Sequence, residues 1–230
     1  MSGVTNTLYQ TPPVTTKVTS VLIVDDHSTF ADLLALALNS QADFECIATA
    51  ATADEAVATS LRARPDLVVM DIQLGRDSGL EAARRIRAVI PDVVIVVVSA
   101  HRDPTWVVRA AQAGASAFAP KTGSLSEMLS VLRGARNGGM LIAPSLFNAA
   151  AAVIPESGGL VEKLTGREQE VLTLMGRGMG VSAIARLLNI SVHTCRGYVK
   201  SIHAKLDVRS QLEAVVKAQR LGLIETVDAS

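Results

Sequence analysis

Pro65-Asp66-Leu67-Val68-Val69-Met70-Asp71 is the stretch whose reading decides the fold. Four consecutive apolar residues, set between a proline and a Gly-containing turn, read as a short strand buried on both faces. The strand ends on a carboxylate. In an open parallel α/β sheet, ligands sit in the crevice outside the carboxyl ends of the strands. Asp71 is therefore expected in that crevice.

The pattern extends in both directions from this strand. Apolar runs at 21–24, 44–49, 67–70, 93–98 and 116–119 alternate with amphipathic helical runs ending near Arg136. Such alternation predicts an α/β domain over 19–137: a doubly wound, five-stranded parallel sheet joined by right-handed crossovers. Residues 1–18, rich in Thr, Ser and Pro, read as a disordered leader. Residues 138–163 read as a linker with a short Ala-rich helix over 144–153 and a flexible Pro-Glu-Ser-Gly-Gly joint. Over 164–225 only helical patterns remain, as a small all-α domain. Thr165 and Glu168 form a capping box, a short helix ends near Asn189, Ser191 caps a longer polar helix, and a fourth helix stops at Gly222. A short helix, a tight turn and a longer polar helix make a helix-turn-helix.

Charge separates the two parts. The chain is neutral overall, yet residues 1–155 carry 12 basic against 14 acidic side chains, and residues 164–220 carry 9 against 4. Only the helical part is expected to meet a polyanion. Two distant cysteines, Cys46 and Cys195, fit a reducing cytoplasm rather than a disulfide scaffold. No apolar run nears the roughly 20 residues of a membrane span, and no signal peptide is evident, so a cytoplasmic protein without a membrane partner is expected.

The strand ends gather an acidic pocket: Asp25-Asp26 after the first strand, Asp71 on the third, Ser99 after the fourth and Lys121 after the fifth. Any one of these is more simply a turn residue, a helix cap or a solvated charge. Their conjunction is the signal. Three carboxylates in one crevice need a hard divalent cation, Mg²⁺ by preference. The cation and Lys121 together would neutralise a transferring phosphoryl group, and the Ser99 hydroxyl would bond it on arrival. His27 and His101 border the pocket and read as loop histidines rather than ligands.

Val24-Asp25-Asp26-His27, Asp66 to Ile72, Val98-Ser99-Ala100 and Gly114 to Lys121 resemble the receiver domain of two-component response regulators. The resemblance implies a flavodoxin-like receiver in which Asp71 accepts a phosphoryl group from a sensor histidine kinase. It implies that Asp25, Asp26 and the backbone carbonyl of Gln73 hold Mg²⁺ beside Asp71. It assigns Ser99 and Phe118 as the switch pair and Lys121 as the phosphate-binding lysine. Three positions depart from the pattern. Leu74-Gly75 replaces Met-Pro and predicts a looser loop, Ala31 replaces an Arg, and Pro120 restricts Ala119 to extended backbone.

Leu164 to Leu172 and Ser191 to Leu206 are similar to the LuxR-type helix-turn-helix of the NarL/FixJ subfamily. Val192, Cys195, Val199, Ile202 and Leu206 form one apolar stripe, with Thr194, Arg196, Gly197, Lys200, Ser201 and His203 away from it. Such a helix offers its polar side to the major groove of double-stranded DNA. Arg196 and Lys200 can reach bases or phosphates together, and Ser191 can bond a phosphate at the helix N-terminus. The resemblance places Arg196, Gly197 and Lys200 against DNA. Arg196-Gly197-Tyr198 and Val181-Ser182-Ala183 depart from the usual residues. Cys195 reads as a small core residue. The fourth helix is expected to pair with a second copy, giving a homodimer on DNA.

Together these readings describe a transcription regulator controlled by phosphorylation, and not an enzyme. An aspartyl-phosphate phosphatase needs an acid two residues after the nucleophile, where Gln73 stands. A phosphate-independent adaptor would not need the intact pocket.

Overall fold

The computed structural model describes residues 18–101, 103–136, 163–208 and 210–224. The expected leader, but for its last residue, and the linker helix over 144–153 lie outside them.

β1 (Thr19–Val24), β2 (Phe44–Ala50), β3 (Leu67–Asp71), β6 (Val94–Ser99) and β7 (Ala117–Pro120) form one parallel sheet in the order β2-β1-β3-β6-β7. The central strand is β3, every residue of which is buried. Its neighbours register with it residue by residue: Val24 opposite Met70, and Asp71 opposite Val98.

Side chains alternate across a strand with period two, and the two faces collect different helices. Val21, Ile23, Leu67, Val69, Val96 and Val98 face α1 (Ser28–Asn39) and α5 (Leu125–Arg136). Leu22, Val24, Val68, Met70, Ile95 and Val97 face α2 (Ala53–Ala63), α3 (Gly79–Val89) and α4 (Thr105–Gln112). Few of these core residues are aromatic, so the core is built from branched aliphatics and alanines.

The Leu74-Gly75 departure produces a structure the sequence did not suggest. β4 (Gln73–Leu74) and β5 (Asp77–Ser78) pair as a two-stranded antiparallel hairpin. Leu74 is buried, and Gly75 turns the chain at φ +63. The Gly75 N–H donates to Asp26 Oδ2 at 2.9 Å, which ties the loop to the pocket instead of loosening it. Pro120 fits because β7 is an edge strand, where a missing ladder N–H is tolerated.

The C-terminal helices are α6 (Gly166–Gly176), α7 (Val181–Leu187), α8 (Val192–Lys205) and α9 (Gln211–Arg220). Asn189 at φ 52 makes the tight turn between α7 and α8, a conformation Asn accepts more readily than most residues. Leu172, Met175, Ile184, Cys195, Ile202, Leu212 and Val215 close the core of this module. α9 packs on α4 of the sheet domain. Ser210 Oγ donates to the Ala111 carbonyl at 3.1 Å across this contact, in a buried setting, and accepts the Glu213 N–H as N-cap of α9.

One backbone contact underpins the acidic end of β3. A Cβ on Gly79 would lie 1.7 Å from the Asp71 carbonyl oxygen. Gly79→Ala therefore forces β3 and α3 apart. Urea unfolding is expected to show a loss of at least about 2 kcal/mol, where an exposed substitution would change little.

Candidate functional site: an acidic pocket and a basic helix face

β1 and β3 end side by side, so Asp25 and Asp71 emerge together. Both are buried, with 2% and 5% of their surface exposed, while Asp26 is exposed. One ligand atom from each of Asp25, Asp26, His27 and Asp71 can be chosen so that all lie within 4.8 Å of one another. The hydrogen bonds between them are local. The His27 N–H donates to Asp25 Oδ1 at 3.0 Å, and the Ile72 N–H to Asp71 Oδ1 at 2.7 Å.

Lys121 enters from the end of β7. Its Nζ lies 2.7 Å from both Asp25 Oδ2 and Asp71 Oδ2. Its backbone N–H donates to the Ser99 carbonyl at 2.8 Å, which fixes where the side chain starts. The Phe30 ring sits under the ammonium, 4.9 Å from Nζ to centroid. Burial raises the Asp71 pKa, the Lys121 bond offsets part of that, and the Asp25 charge adds to the rise. Desolvation pulls Lys121 down, yet its bonds to Asp25 and Asp71 outweigh it and hold the ammonium above its ordinary value. One ammonium thus touches two of the three carboxylates and leaves the cluster with net negative charge. The excess negative charge and the three carboxylates suit a hard divalent cation.

The remaining expected residues surround this centre. Ser99 is buried, and its Oγ accepts the His101 N–H at 2.9 Å. Phe118 is buried in the core opposite Val97. Gln73 is exposed on β4, and its Oε1 lies 3.4 Å from His101 Nε2. His101 stacks on Trp106 of α4, with centroids 5.7 Å apart. His27 is exposed as expected of a loop histidine, yet its Nδ1 stands 3.0 Å from Asp26 Oδ1, inside the acidic cluster. Sequence reasoning missed Phe30, Gly79 and Trp106. Phe30 and Trp106 carry no motif signal, and a glycine beside a strand end looks like any turn residue.

The second surface is the outward side of α8. Thr194, Arg196, Gly197 and Lys200 are all exposed, and Cys195 and Ile202 are fully buried on the opposite side. Neither Arg196 nor Lys200 hydrogen-bonds or ion-pairs with a described residue. Ser191 Oγ is engaged as the N-cap, accepting the Thr194 N–H at 2.9 Å and lying 2.7 Å from Thr194 Oγ1.

Glu168 positions this helix. The capping box predicted from Thr165 and Glu168 is present, with the Thr165 N–H donating to Glu168 Oε2 at 2.6 Å. The same carboxylate also receives Ser201 Oγ at 2.5 Å and Lys205 Nζ at 2.9 Å, both from α8. Burial alone would raise its pKa. The donors from Ser201, Lys205 and Thr165 outweigh burial and hold it down at about 2.

Comparison with known proteins finds a match for each of the two domains. Residues 21–133 match the response regulator receiver domain, and residues 162–218 match the bacterial regulatory proteins of the luxR family. The response regulator protein VraR of Staphylococcus aureus is 29% identical over 205 residues, spanning 89% of this chain and 98% of VraR. A LuxR-family two-component response regulator from Aurantimonas has a crystal structure that superimposes at TM-score 0.56 with 26% identity, covering 59% of this chain and 97% of that one. Salmonella typhimurium RcsB shares the fold at TM-score 0.54 and 19% identity, over 86% of this chain and 97% of its own. The chain belongs to the two-component response regulators that join a receiver domain to a LuxR-type helix-turn-helix. Members of that family are DNA-binding transcription regulators.

A carboxylate with a depressed folded pKa stabilises above its unfolded value and loses that contribution as pH falls through the folded one. For Glu168 the window runs from the ordinary 4.5 down to about 2. Glu168→Gln is expected to lower stability by about 2 kcal/mol at neutral pH. Denaturant titrations should show the gap from the parent chain closing below the ordinary carboxylate range. A gap independent of pH would mean that the charge is not what holds α8.

Proposed function

We propose that this chain is a transcription regulator switched by phosphorylation of Asp71, with a sensor histidine kinase as donor and Mg²⁺ as the metal. The observation that carries the reading is Lys121 Nζ placed 2.7 Å from both Asp25 and Asp71, within an acidic cluster whose charge exceeds what the lysine can balance. Asp25, Asp26 and the backbone carbonyl of Gln73 would hold the ion beside Asp71, and the ion would neutralise the incoming phosphoryl oxygens. Asp71 attacks phosphorus through a carboxylate oxygen, the kinase imidazole leaves, and an acyl phosphate forms. Lys121 then follows the new charge, and the Ser99 hydroxyl, which already accepts the His101 N–H, donates its proton in a hydrogen bond to a phosphate oxygen. Phe118, beside this pocket in β7, belongs to the same rearrangement.

The output would be binding of double-stranded DNA through Ser191, Thr194, Arg196, Gly197 and Lys200, as a homodimer. The sequence left two routes from phosphate to DNA: uncovering the recognition helix, or freeing a dimer surface. The recognition face of α8 is exposed already, whereas the apolar side of α9 lies against α4. The second route is therefore the better supported. A phosphate-driven shift of α4 would release α9 for a second copy. Such a regulator works in the cytoplasm, where kinase, Mg²⁺ and DNA meet.

Two experiments test this. Labelling by a small phosphodonor should require Mg²⁺ and disappear in Asp71→Asn. Label retained by that variant, or formed without a divalent ion, would contradict the site. Lys200→Ala should weaken binding to every duplex and reduce the dependence of log affinity on log salt by about one unit. An unchanged slope would remove Lys200 from the phosphate contacts.

A further inference from the structure

We propose that Gly197 sets how deeply the recognition helix seats on duplex DNA, so that a missing side chain is itself a specificity determinant. The inference rests on the DNA-binding reading above and adds to it the steric role of one position.

Within the chain, nothing calls for glycine there. Gly197 is the sixth residue of α8, in regular helix, with no left-handed backbone to accommodate. A Cβ built on it meets nothing within 4 Å. Other helical glycines have a reason within the chain: a Cβ on Gly79 would collide with the Asp71 carbonyl, one on Gly176 would come within 2.8 Å of Ile224, and Gly166, as open as Gly197, is the first residue of its helix rather than an interior one. Alanine is favoured over glycine inside a helix by about fivefold per residue. The fold alone thus works against Gly197, and the constraint has to come from outside the chain.

Its direction is also fixed. At 3.6 residues per turn, Gly197 lies opposite Cys195 and Ile202, both 0% exposed, and so at the crest of the outward face. Arg196 and Lys200 flank the crest, exposed and unpaired among the described residues. Glycine is the residue that lets a backbone approach another surface closely. A methyl group at the crest would hold the helix off by about 1.5 Å, the length of a C–C bond.

Hydrogen bonds do not survive a displacement of that size, because base-edge contacts weaken steeply beyond about 3.2 Å. Attraction between flexible cations and phosphates does survive it, since it acts over a Debye length of about 8 Å at physiological salt. Sequence-specific binding should therefore depend on Gly197 far more than non-specific binding does.

The test uses the full chain and a random-sequence duplex library, from which the parent protein selects its preferred site. Gly197→Ala is expected to lose about tenfold or more in affinity for the selected site. Its affinity for unselected duplex should stay within about twofold and its salt slope should be unchanged. Its thermal midpoint should hold or rise. Lys200→Ala is the contrasting control, weakening both duplexes and lowering the slope. Parental affinity of Gly197→Ala for the selected site would overturn the inference, as would a lowered thermal midpoint accompanying lost binding. Should the parent select no site and Lys200→Ala leave the salt slope unmoved, the DNA-binding reading itself fails and takes the inference with it.

Discussion

One ammonium held between two buried carboxylates governs the end of the sheet. Lys121 lies 2.7 Å from both Asp25 and Asp71, and no third oxygen of the cluster shares it. Its placement is a backbone matter as much as an electrostatic one. Pro120 closes the edge strand, and the Lys121 N–H bonds the Ser99 carbonyl, so the side chain can start from only one point. Phe30 then covers it. Such a pair is not a mutual optimum. Lys121 is held above its ordinary pKa, yet Asp71 is raised as well, because burial and the Asp25 charge outweigh what the lysine gives back. Buried charges compensated this incompletely are weak evidence for stability and better evidence for a place where charge will change.

The helical module shows the opposite arrangement. Glu168 is compensated to excess, with donors from its own helix cap and from Ser201 and Lys205 of α8. Its carboxylate does two things that the sequence presents as one: it closes the N-terminus of α6 and locks the rotation of α8. That lock fixes the helix while Arg196 and Lys200 stand without partners among the described residues. A binding face needs this combination, unpaired cations on an element that cannot turn.

Much of this was legible in the chain itself. The apolar run ending on Asp71 announced a buried central strand, and the alternation around it announced the parallel sheet, because both depend on period and burial alone. The pocket residues were legible because parallel topology brings all strand ends to one edge. Three things were not. The β4–β5 hairpin depends on Gly75 adopting positive φ and on a bond to Asp26, which no periodicity encodes. Phe30 stacks on Lys121 through a contact spanning most of the domain's length. The packing of α9 on α4 joins two modules across residues 137–162, whose sequence carries no pattern that pairs one module with the other. The expectation that did not hold, a looser chain at Leu74-Gly75, falls at a tight turn, where local hydrogen bonds rather than hydrophobic pattern decide the conformation.

The strength of that inter-module contact bears on what a phosphoryl group can do. Ser210 to Ala111 is one hydrogen bond, with a net value of about 1 kcal/mol. Arg87, His203 and Gln211 line a cleft between the modules, and one buried side-chain nitrogen of each has no hydrogen-bond partner among the described residues. The rest of the contact is made by the packed faces of α4 and α9, with Val107, Val108, Ala111, Val215 and Val216 all buried. Carrying an equilibrium from 1:99 to 99:1 takes about 5.5 kcal/mol of differential stabilisation. A phosphoryl group that makes one to three new charge-assisted bonds supplies energy of that order. Under the phosphorylation reading proposed above, a shift of α4 that loses the Ser210 bond and part of its contact with α9 would weaken docking without any change in α9 itself.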